Sequence, residues 1–280
     1  MNRRTFLTVL AAVPLAAQTA TNQQAKRKGR LKQGVTRGCF RGTNFSLDEM
    51  ARHAARLGAT GFDLIGEADW PTLKKHGLVP TMAPGAGTIK DALNRKEAHA
   101  KLEADMRSNL DKAAANGVPN VITFSGNRAG MSDAEALDNC ALFLNKVKAH
   151  AEDKGVTICM EYLNSKVNHP DYQFDNIAFG AELCKRVNSP RVKILYDIYH
   201  AQIMEGDIIR TIRTHFGIMA HFHTAGNPGR HEFDDTQESN YRGIAQAIVD
   251  LGFTGWLTHE YSPLKDALTS LDTALTICDV

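Results

Sequence analysis

Four segments of the chain end in a side chain that can bind a metal ion or carry a proton. Each segment is short, apolar and β-branched, which is the pattern of a buried strand, and the side chains that end them are Glu161, Asp197, His223 and Glu260. The intervals between them are 36, 26 and 37 residues, each close to one strand–helix–strand repeat of ~30 residues. If the four strands are neighbours in a parallel barrel, these side chains meet at the mouth formed by the carboxyl ends of the strands.

Three carboxylates and one imidazole form an oxygen-rich set that suits Mg²⁺ or Mn²⁺, with Co²⁺ or Zn²⁺ as alternatives. A divalent ion that binds a carbonyl oxygen and the neighbouring hydroxyl acidifies the C–H bond between them and stabilises the resulting enediolate. Glu161 and Glu260 come from the two ends of the set, so we expect them on opposite sides of the substrate. One can remove a proton and the other can return it. This set predicts aldose–ketose isomerisation or epimerisation without an organic cofactor.

Two further residues are candidates for substrate binding. His200 follows Asp197 by three residues and could donate a hydrogen bond to a substrate oxygen, although an ordinary surface histidine fits the same position. Arg230 lies in a glycine-rich loop and can pair with a carboxylate or a sugar hydroxyl. A solvated loop arginine is the alternative interpretation of Arg230.

Three more polar residues lie near predicted strand ends. His221 shares a strand face with His223 but lies deeper, so we expect a hydrogen-bonded core histidine. His259 precedes Glu260 and is expected to face the surrounding helices. Glu67 ends the second predicted strand, where a substrate contact and a structural salt bridge both remain open.

The elements that must position these residues alternate strictly between strand and helix. We expect eight strands, at residues 34–40, 61–67, 78–82, 121–124, 156–160, 194–197, 218–222 and 256–259. Helices are expected after Ser46 and Ser132, where each serine is followed by a glutamate three residues later as in a capping box. The other helices are expected at residues 70–76, 95–116, 175–187, 207–214, 241–251 and 265–277. This count predicts an α/β fold, a (β/α)₈ TIM barrel with a parallel eight-stranded barrel and outer helices. A doubly wound open sheet is the alternative, but no glycine-rich phosphate loop follows the first strand.

The amino-terminal segment is expected to lie outside the barrel. Residues 1–20 resemble a twin-arginine signal peptide, with Arg3 and Arg4 followed by an apolar run that is shorter than the ~20 residues that span a bilayer. Such a signal predicts export to the periplasm with no stable membrane insertion after processing. A plain secretory signal or a retained anchor remains the alternative. We expect residues 21–32 to be a solvated basic linker and residues 33–280 to be the barrel domain.

The charge balance limits the class of partner. The chain has 33 basic and 31 acidic residues, so removal of the two signal arginines leaves it formally neutral. Nucleic acid and anionic membranes are therefore disfavoured as main partners, because both require a basic surface. The expected partner is a small hydroxy-carbonyl acid or sugar, and a homo-oligomer stays possible. The five scattered cysteines indicate neither a disulfide framework nor a zinc site, and Cys159 is expected to be buried.

Five segments carry a resemblance to a known family. They are Val121-Ile-Thr-Phe-Ser-Gly-Asn-Arg128, Glu161-Tyr-Leu-Asn164, Asp197-Ile-Tyr-His-Ala-Gln-Ile-Met-Glu-Gly206, His221-Phe-His223 with Asn227-Pro-Gly-Arg230, and Gly255-Trp-Leu-Thr-His-Glu-Tyr261. Together they resemble the hydroxypyruvate isomerase family of xylose-isomerase-like TIM barrels, to which the ketose 3-epimerases are related. The resemblance runs from about residue 102 to residue 263.

The resemblance implies a role for each site residue. Glu161, Asp197, His223 and Glu260 become metal ligands, and Glu161 and Glu260 are also the catalytic pair. His200 and Arg230 become substrate contacts. The hydroxypyruvate isomerases often have Gln where this chain has His223, whereas the epimerases have His.

The implied activity is conversion of hydroxypyruvate to tartronate semialdehyde, and several alternatives share the scaffold. They are a ketose 3-epimerase, a dehydroshikimate-type lyase, and an exported sugar-binding barrel without catalysis. The last is disfavoured because binding alone needs no pair of proton carriers. A nuclease of the endonuclease IV type would need more metal ligands and a basic groove.

Overall fold

Eight parallel strands form a closed barrel in a computed structural model that describes residues 25–280 of the chain. Each strand pairs with its sequence neighbours, and β1 pairs with β8 to close the barrel. The strands are β1 (Lys32–Val35), β2 (Gly61–Asp63), β3 (Val79–Ala86), β4 (Asn120–Thr123), β5 (Thr157–Glu161), β6 (Val192–Asp197), β7 (Met219–Thr224) and β8 (Trp256–His259). The predicted α/β TIM-barrel class is therefore confirmed.

Helices surround the barrel and join consecutive strands. They are α1 (Leu47–Arg56), α2 (Trp70–Lys75), α3 (His99–Asn116), α4 (Asp133–Lys154), α5 (Ile177–Val187), α6 (Ile198–Met204), α7 (Ile208–His215), α8 (Tyr241–Asp250) and α9 (Ala267–Ile277). Ser46 forms the predicted capping box with Glu49, and the Ser132 hydroxyl accepts a hydrogen bond from the Glu135 N–H. Two helices, α6 and α7, occupy the connection between β6 and β7 where one was predicted.

Helix α6 begins at the strand end itself because Asp197 caps it. One Asp197 oxygen, Oδ1, accepts hydrogen bonds from the backbone N–H groups of Tyr199 at 2.9 Å and His200 at 3.3 Å. Such a cap satisfies N–H groups that have no partner within the helix. The cap places His200 one helical turn beyond the strand end, beside the Asp197 side chain.

The first two strands are shorter than predicted. After β1 the chain turns into a 3₁₀ helix at Arg37–Phe40, because the N–H of Cys39 bonds to the carbonyl of Thr36 instead of to a neighbouring strand. Strand β2 ends at Asp63, since Leu64 adopts a left-handed backbone with φ of 60°. Glu67 therefore does not end a strand: it lies in a 3₁₀ turn and forms an ion pair with Lys112 at 3.5 Å on the surface.

The core has two parts. A small cluster, which consists of Met82, Ile122, Cys159 and Leu195, fills the barrel interior, and a larger apolar layer lies between the strands and the outer helices. Cys159 is fully buried, as predicted, and all five cysteines are free thiols. The barrel is therefore held by packing and by strand pairing.

The basic segment before β1 is not a solvated linker throughout. Arg27 donates hydrogen bonds to the Leu57 carbonyl at 2.9 and 3.0 Å and pairs with Asp272, and only 13% of its side chain is exposed. That prediction was wrong for Arg27, because the carbonyl at the end of α1 and the acidic surface of α9 together accept its guanidinium. The expected signal peptide, residues 1–20, lies outside the described residues. Among the helices of residues 25–280, none has the length and apolar character of a membrane span.

Candidate active site

The four predicted ligand residues meet at the carboxyl end of the barrel. Glu161 and Asp197 end β5 and β6, His223 is the penultimate residue of β7, and Glu260 directly follows β8. Each of the four offers one ligand atom, and these atoms all lie within 4.8 Å of one another. Four residues spread over 100 positions of the chain thus share one small volume because parallel barrel strands end at the same face.

Two of these side chains present buried atoms that make no hydrogen bond of good geometry within residues 25–280. They are Asp197 Oδ2 and His223 Nδ1, and both residues are fully buried. His223 Nδ1 lies 3.0 Å from Glu260 Oε2 and 3.5 Å from Glu161 Oε1. Buried polar atoms without partners are rare, and three carboxylates around one imidazole are donors that a divalent cation requires. The residues present therefore fit a divalent metal ion.

Asp63 joins this site, and the sequence analysis did not identify it. Its Oδ2 lies 3.0 Å from His223 Nε2 and 2.6 Å from His221 Nε2, and Thr81 donates a hydroxyl hydrogen bond to its other oxygen. These are hydrogen-bond distances, so Asp63 acts as the acceptor behind His223, as carboxylates commonly do behind the ligand histidines of metal centres. The available signal was the strand Gly61-Phe-Asp63, which was missed because the strand was extended to Glu67.

The remaining histidines of the barrel follow the predictions. His221 is a buried core residue that contacts Asp63 and the Thr258 hydroxyl. His259 points to the other side of its strand, where its ring nitrogens contact the Thr224 hydroxyl and the Gln33 side-chain oxygen. Burial lowers the pKa of His259 to about 3, so it stays neutral at physiological pH.

His200 lies at the site with a defined tautomer. Asn164 accepts two backbone N–H bonds through its side-chain oxygen, so its amide nitrogen faces His200 Nδ1 at 2.5 Å. Because that nitrogen can only donate, Nδ1 of His200 is the acceptor and Nε2 carries the proton. The Nε2–H has no hydrogen-bond partner among the described residues, and Nε2 lies 3.5 Å from Asp197 Oδ2. Burial, followed by the charge of Arg230, lowers the pKa of His200, so the ring is a neutral donor.

Arg230 is held against the carboxylates and is not a solvated loop residue. One of its terminal nitrogens, Nη2, lies 2.6 Å from Glu260 Oε2 and 3.5 Å from Asp197 Oδ2. The guanidinium also lies 5.3 Å from the ring centre of Tyr199. Its backbone is left-handed, with φ of 59°, inside a turn that Gly226 closes through a hydrogen bond to His231.

The loop that carries Arg230 is fastened to the loop after β8. Glu232 accepts hydrogen bonds at 2.6 Å from the backbone N–H groups of both Leu264 and Lys265, and at 3.1 Å from the Ser270 hydroxyl. The Ser262 N–H also bonds to the Arg230 carbonyl. These contacts fix the position of Arg230 relative to Glu260.

The two glutamates have opposite electrostatic environments. Burial, reinforced by the nearby charge of Glu260, raises the pKa of Glu161. Burial would also raise the pKa of Glu260, but the charges of His223 and Arg230 outweigh it and lower that pKa to about 2. Burial raises the pKa of Asp197 to about 7. Acid and base roles in enzymes often divide between carboxyl groups whose environments separate their pKa values in this way.

A cavity of about 410 Å³ opens beside the site. Its lining residues are Thr36, Arg37, Gly38, Arg41, Asp63, Leu64, Arg230, Glu260, Tyr261 and Ser262. Three residues of the site just described, Asp63, Arg230 and Glu260, thus form part of its wall. The volume falls within the range of small-molecule binding pockets.

Comparison with known proteins identifies the family. The model of the xylose isomerase-like TIM barrel family matches residues 51–275. The 2-oxo-tetronate isomerase of Haemophilus influenzae is 30% identical over 240 residues, which cover 78% of this chain and 89% of that protein. The chain belongs to the xylose isomerase-like TIM barrel family.

Two further comparisons give another curated relative and a solved structure. The 2-oxo-tetronate isomerase of Cupriavidus necator is 34% identical over 130 residues, which cover 46% of this chain and 48% of that protein. The chain spans about half the length of several curated relatives that it matches, this one among them. A crystal structure of an AP endonuclease, family 2, from Brucella melitensis superposes with a TM-score of 0.76 at 25% identity, covering 86% of this chain and 96% of that one. Since the curated relatives carry isomerase names, the predicted family resemblance is confirmed.

Proposed function

We propose that this protein is a metal-dependent isomerase of small hydroxy-carbonyl acids, with hydroxypyruvate to tartronate semialdehyde as the leading reaction. The observation that carries the proposal is the pair Glu161 and Glu260, which approach the same imidazole nitrogen, His223 Nδ1, from two different strands. The isomerase names of the curated relatives, which include 2-oxo-tetronate isomerases, support the same class of reaction.

Glu161, Asp197, His223 and Glu260 would hold the divalent ion. When bound, the ion supplies acidification of the C–H bond that lies between two substrate oxygens. His223 offers Nδ1 because its Nε2 faces Asp63. Mg²⁺ and Mn²⁺ suit the oxygen-rich set best.

The protein's own residues divide the remaining work. Glu161 and Glu260 exchange a proton with adjacent substrate carbons, one as base and the other as acid. His200 donates its Nε2–H to a substrate oxygen, and its neutral state keeps it a donor without adding charge. Arg230 keeps the Glu260 carboxylate ionised and oriented. Burial of Asp197 and His223 excludes water from one wall of the site.

A test follows from the proton transfer itself. Protein loaded with Mn²⁺ is incubated in D₂O with short hydroxy-carbonyl acids and ketoses, and deuterium incorporation is followed by NMR. We expect exchange with hydroxypyruvate or 2-oxo-tetronate, loss of exchange in excess chelator, and recovery with Mn²⁺ or Mg²⁺. Undiminished exchange in protein that elemental analysis shows to be free of metal would refute the metal dependence. Exchange with ketoses but not with acids would favour the 3-epimerase alternative.

A nuclease activity is less well supported, although one structural relative carries an AP endonuclease title. The chain has a formal net charge of +2, whereas binding to a phosphate backbone relies on a strongly basic surface. Cleavage of an abasic duplex by the Mn²⁺-loaded protein would overturn this preference.

We also propose that the protein is exported to the periplasm by the twin-arginine route. The support is the paired Arg3 and Arg4 ahead of an apolar run. Cell fractionation should find the wild-type protein in the periplasm and the Arg3→Lys, Arg4→Lys double variant in the cytoplasm. An unchanged distribution would contradict the route.

A further inference from the structure

The cavity beside the metal-binding residues continues to a turn that carries two arginines. Glu260 and Arg230 form one part of its lining, and Arg37 and Arg41, from the 3₁₀ turn after β1, form another. We call this segment, residues 36–41, the arginine turn. A substrate that reaches Glu260 with one end can therefore extend toward the arginine turn with the other.

The arginine turn is fixed relative to Glu260. The Thr36 N–H donates to the His259 carbonyl at 3.0 Å, and the Cys39 thiol donates to the same oxygen at 3.0 Å. A side chain on Gly38 would approach the Tyr261 carbonyl to 3.1 Å, so the absence of a side chain permits this close contact. The turn is thus bound to the residues on both sides of Glu260.

Among the described residues that line the cavity, the charge balance leaves Arg41 available to bind a substrate carboxylate. Glu161, Asp197, Glu260 and the buried Asp63 supply four carboxylates, and a divalent ion with Arg230 balances only three of their negative charges. Arg230 is already engaged by two of these carboxylates, at 2.6 and 3.5 Å. A substrate carboxylate therefore finds no excess positive charge among the metal-binding residues.

The two arginines of the turn differ in this respect. Arg37 pairs with Asp69 at 2.8 Å, whereas Arg41 has no ion pair within residues 25–280 and is exposed. Thr36 also lines the cavity, but its hydroxyl oxygen is buried. An exposed guanidinium with no ion pair among the described residues, in the wall of this cavity, matches the needs of an anionic group.

We infer that the arginine turn binds the carboxylate of the substrate, with Arg41 as the main contact. This inference rests on the proposed function and specifies its substrate class: a hydroxy-carbonyl acid whose carboxylate lies beyond the two carbons that exchange a proton. Arg41 then determines the preference for acids over neutral sugars, while Arg230 serves the reacting end. A terminal phosphate has similar oxygen chemistry, and the experiment separates it from a carboxylate.

The test compares matched substrates in Mn²⁺-loaded Arg41→Gln, Arg41→Lys and wild-type protein. Hydroxypyruvate, dihydroxyacetone and dihydroxyacetone phosphate share three carbons and differ in the terminal group. For Arg41→Gln we expect the KM for hydroxypyruvate to rise by about ten- to hundredfold, the usual loss of a hydrogen bond to a charged group. Deuterium exchange into dihydroxyacetone should stay at the wild-type rate. Arg41→Lys should lose less than Arg41→Gln, because it keeps the charge but not the planar pair of donors.

Arg213→Gln is the matched control, since Arg213 is an exposed arginine on α7, away from the cavity. Equal losses for hydroxypyruvate and dihydroxyacetone in Arg41→Gln, or none for either, would overturn the inference. A selective loss for dihydroxyacetone phosphate alone would reassign the turn to phosphate and overturn the carboxylate assignment.

Calorimetric titration with hydroxypyruvate separates this inference from the proposed function. Weaker binding of hydroxypyruvate to Arg41→Gln than to wild type supports the arginine turn as the binding site, even if no substrate turns over. A lack of turnover would contradict only the proposed isomerase activity. If the enzyme is active but Arg41→Gln binds hydroxypyruvate as tightly as wild type does, only the inference about the arginine turn is contradicted.

Discussion

Glu161 and Glu260 contact the same imidazole from different strands but differ in their other neighbours. Glu260 is paired with Arg230 at 2.6 Å, whereas Glu161 has no arginine at ion-pair distance within the described chain. This asymmetry separates their pKa values: the charges of His223 and Arg230 lower the pKa of Glu260, whereas burial raises the pKa of Glu161. Both remain within reach of one substrate because β5 and β8 end at the same face.

The glutamate pair yields the first prediction. Glu161→Gln and Glu260→Gln should each lower product formation by ~10²–10⁴-fold, the share of a positioned general base or acid. Deuterium exchange into substrate should vanish in the variant that lacks the abstracting base, while the other variant still exchanges without forming product. Wild-type exchange rates in both single variants would show that another group makes the enediolate.

The second prediction concerns Asp63, which holds the ring of His223 through a hydrogen bond. Its carboxylate accepts from His223 Nε2 at 3.0 Å and so leaves Nδ1 free to face the other ligands. Asp63→Asn should weaken Mn²⁺ binding by about 10- to 100-fold, the usual effect of changing such a partner. Isothermal titration with Mn²⁺ measures the loss, and circular dichroism verifies the fold. Asp153→Asn, on the exposed face of α4, is the control; equal affinities in all three proteins would show that Asp63 only fills the core.

At the scale of elements, the loop after β7 and the loop after β8 behave as one unit. Glu232, which is 5% exposed, satisfies two backbone N–H groups and one hydroxyl across the two loops. Without that carboxylate these donors lie at the loop junction with no acceptor. Since Arg230 lies two residues before Glu232, the junction determines where the guanidinium meets Glu260.

The third prediction tests this junction. Glu232→Ala should reduce the free energy of unfolding by about 1–3 kcal/mol, because buried donors lose their acceptor. It should also lower kcat, since Arg230 and Glu260 lose their fixed relation. Urea denaturation and steady-state kinetics measure the two effects, with exposed Asp153→Ala as the control. Unchanged kcat in a destabilised variant would confine Glu232 to a structural role.

At the scale of the whole molecule, the barrel closes between its first and last strands. Lys32 to Val35 pair with Trp256 to His259, and Arg27 ties the preceding segment to α1 and α9. The Leu57 carbonyl that Arg27 contacts belongs to the end of α1, where helical carbonyls lack partners in the helix. Arg27 therefore joins the two ends of the described chain at the outside of the barrel.

The fourth prediction concerns this connection. Arg27→Ala should reduce the free energy of unfolding by about 1–2 kcal/mol, since a largely buried guanidinium loses two carbonyl contacts. Thermal and urea denaturation of residues 25–280 measure the effect. Lys28→Ala is the matched control, because the Lys28 side chain is exposed. A midpoint that is the same for both variants would show that Arg27 contributes nothing to closure.

The barrel and the convergence of the four candidate ligand residues are predictable from local sequence patterns. Strand–helix repeats are local patterns, and a charged residue at the end of an apolar strand is visible without any knowledge of distant contacts. Glu161, Asp197, His223 and Glu260 were found in this way, because parallel strands place their ends on one face whatever the side chains do.

The contacts that support these residues depend on long-range packing and are not visible in local sequence patterns. Asp63 contacts histidines that are 158 and 160 positions away, and no local pattern specifies which strand end faces which imidazole. The pairing of Arg230 with Glu260 and the docking of Arg27 on α9 likewise join segments that are distant in the chain. The arginine turn was predicted as strand because its hydrogen bonds depend on β8, which lies at the other end of the sequence. Barrel closure created the Asp63 contacts and the docking of Arg27, since it is the step that brings the first strands beside the last.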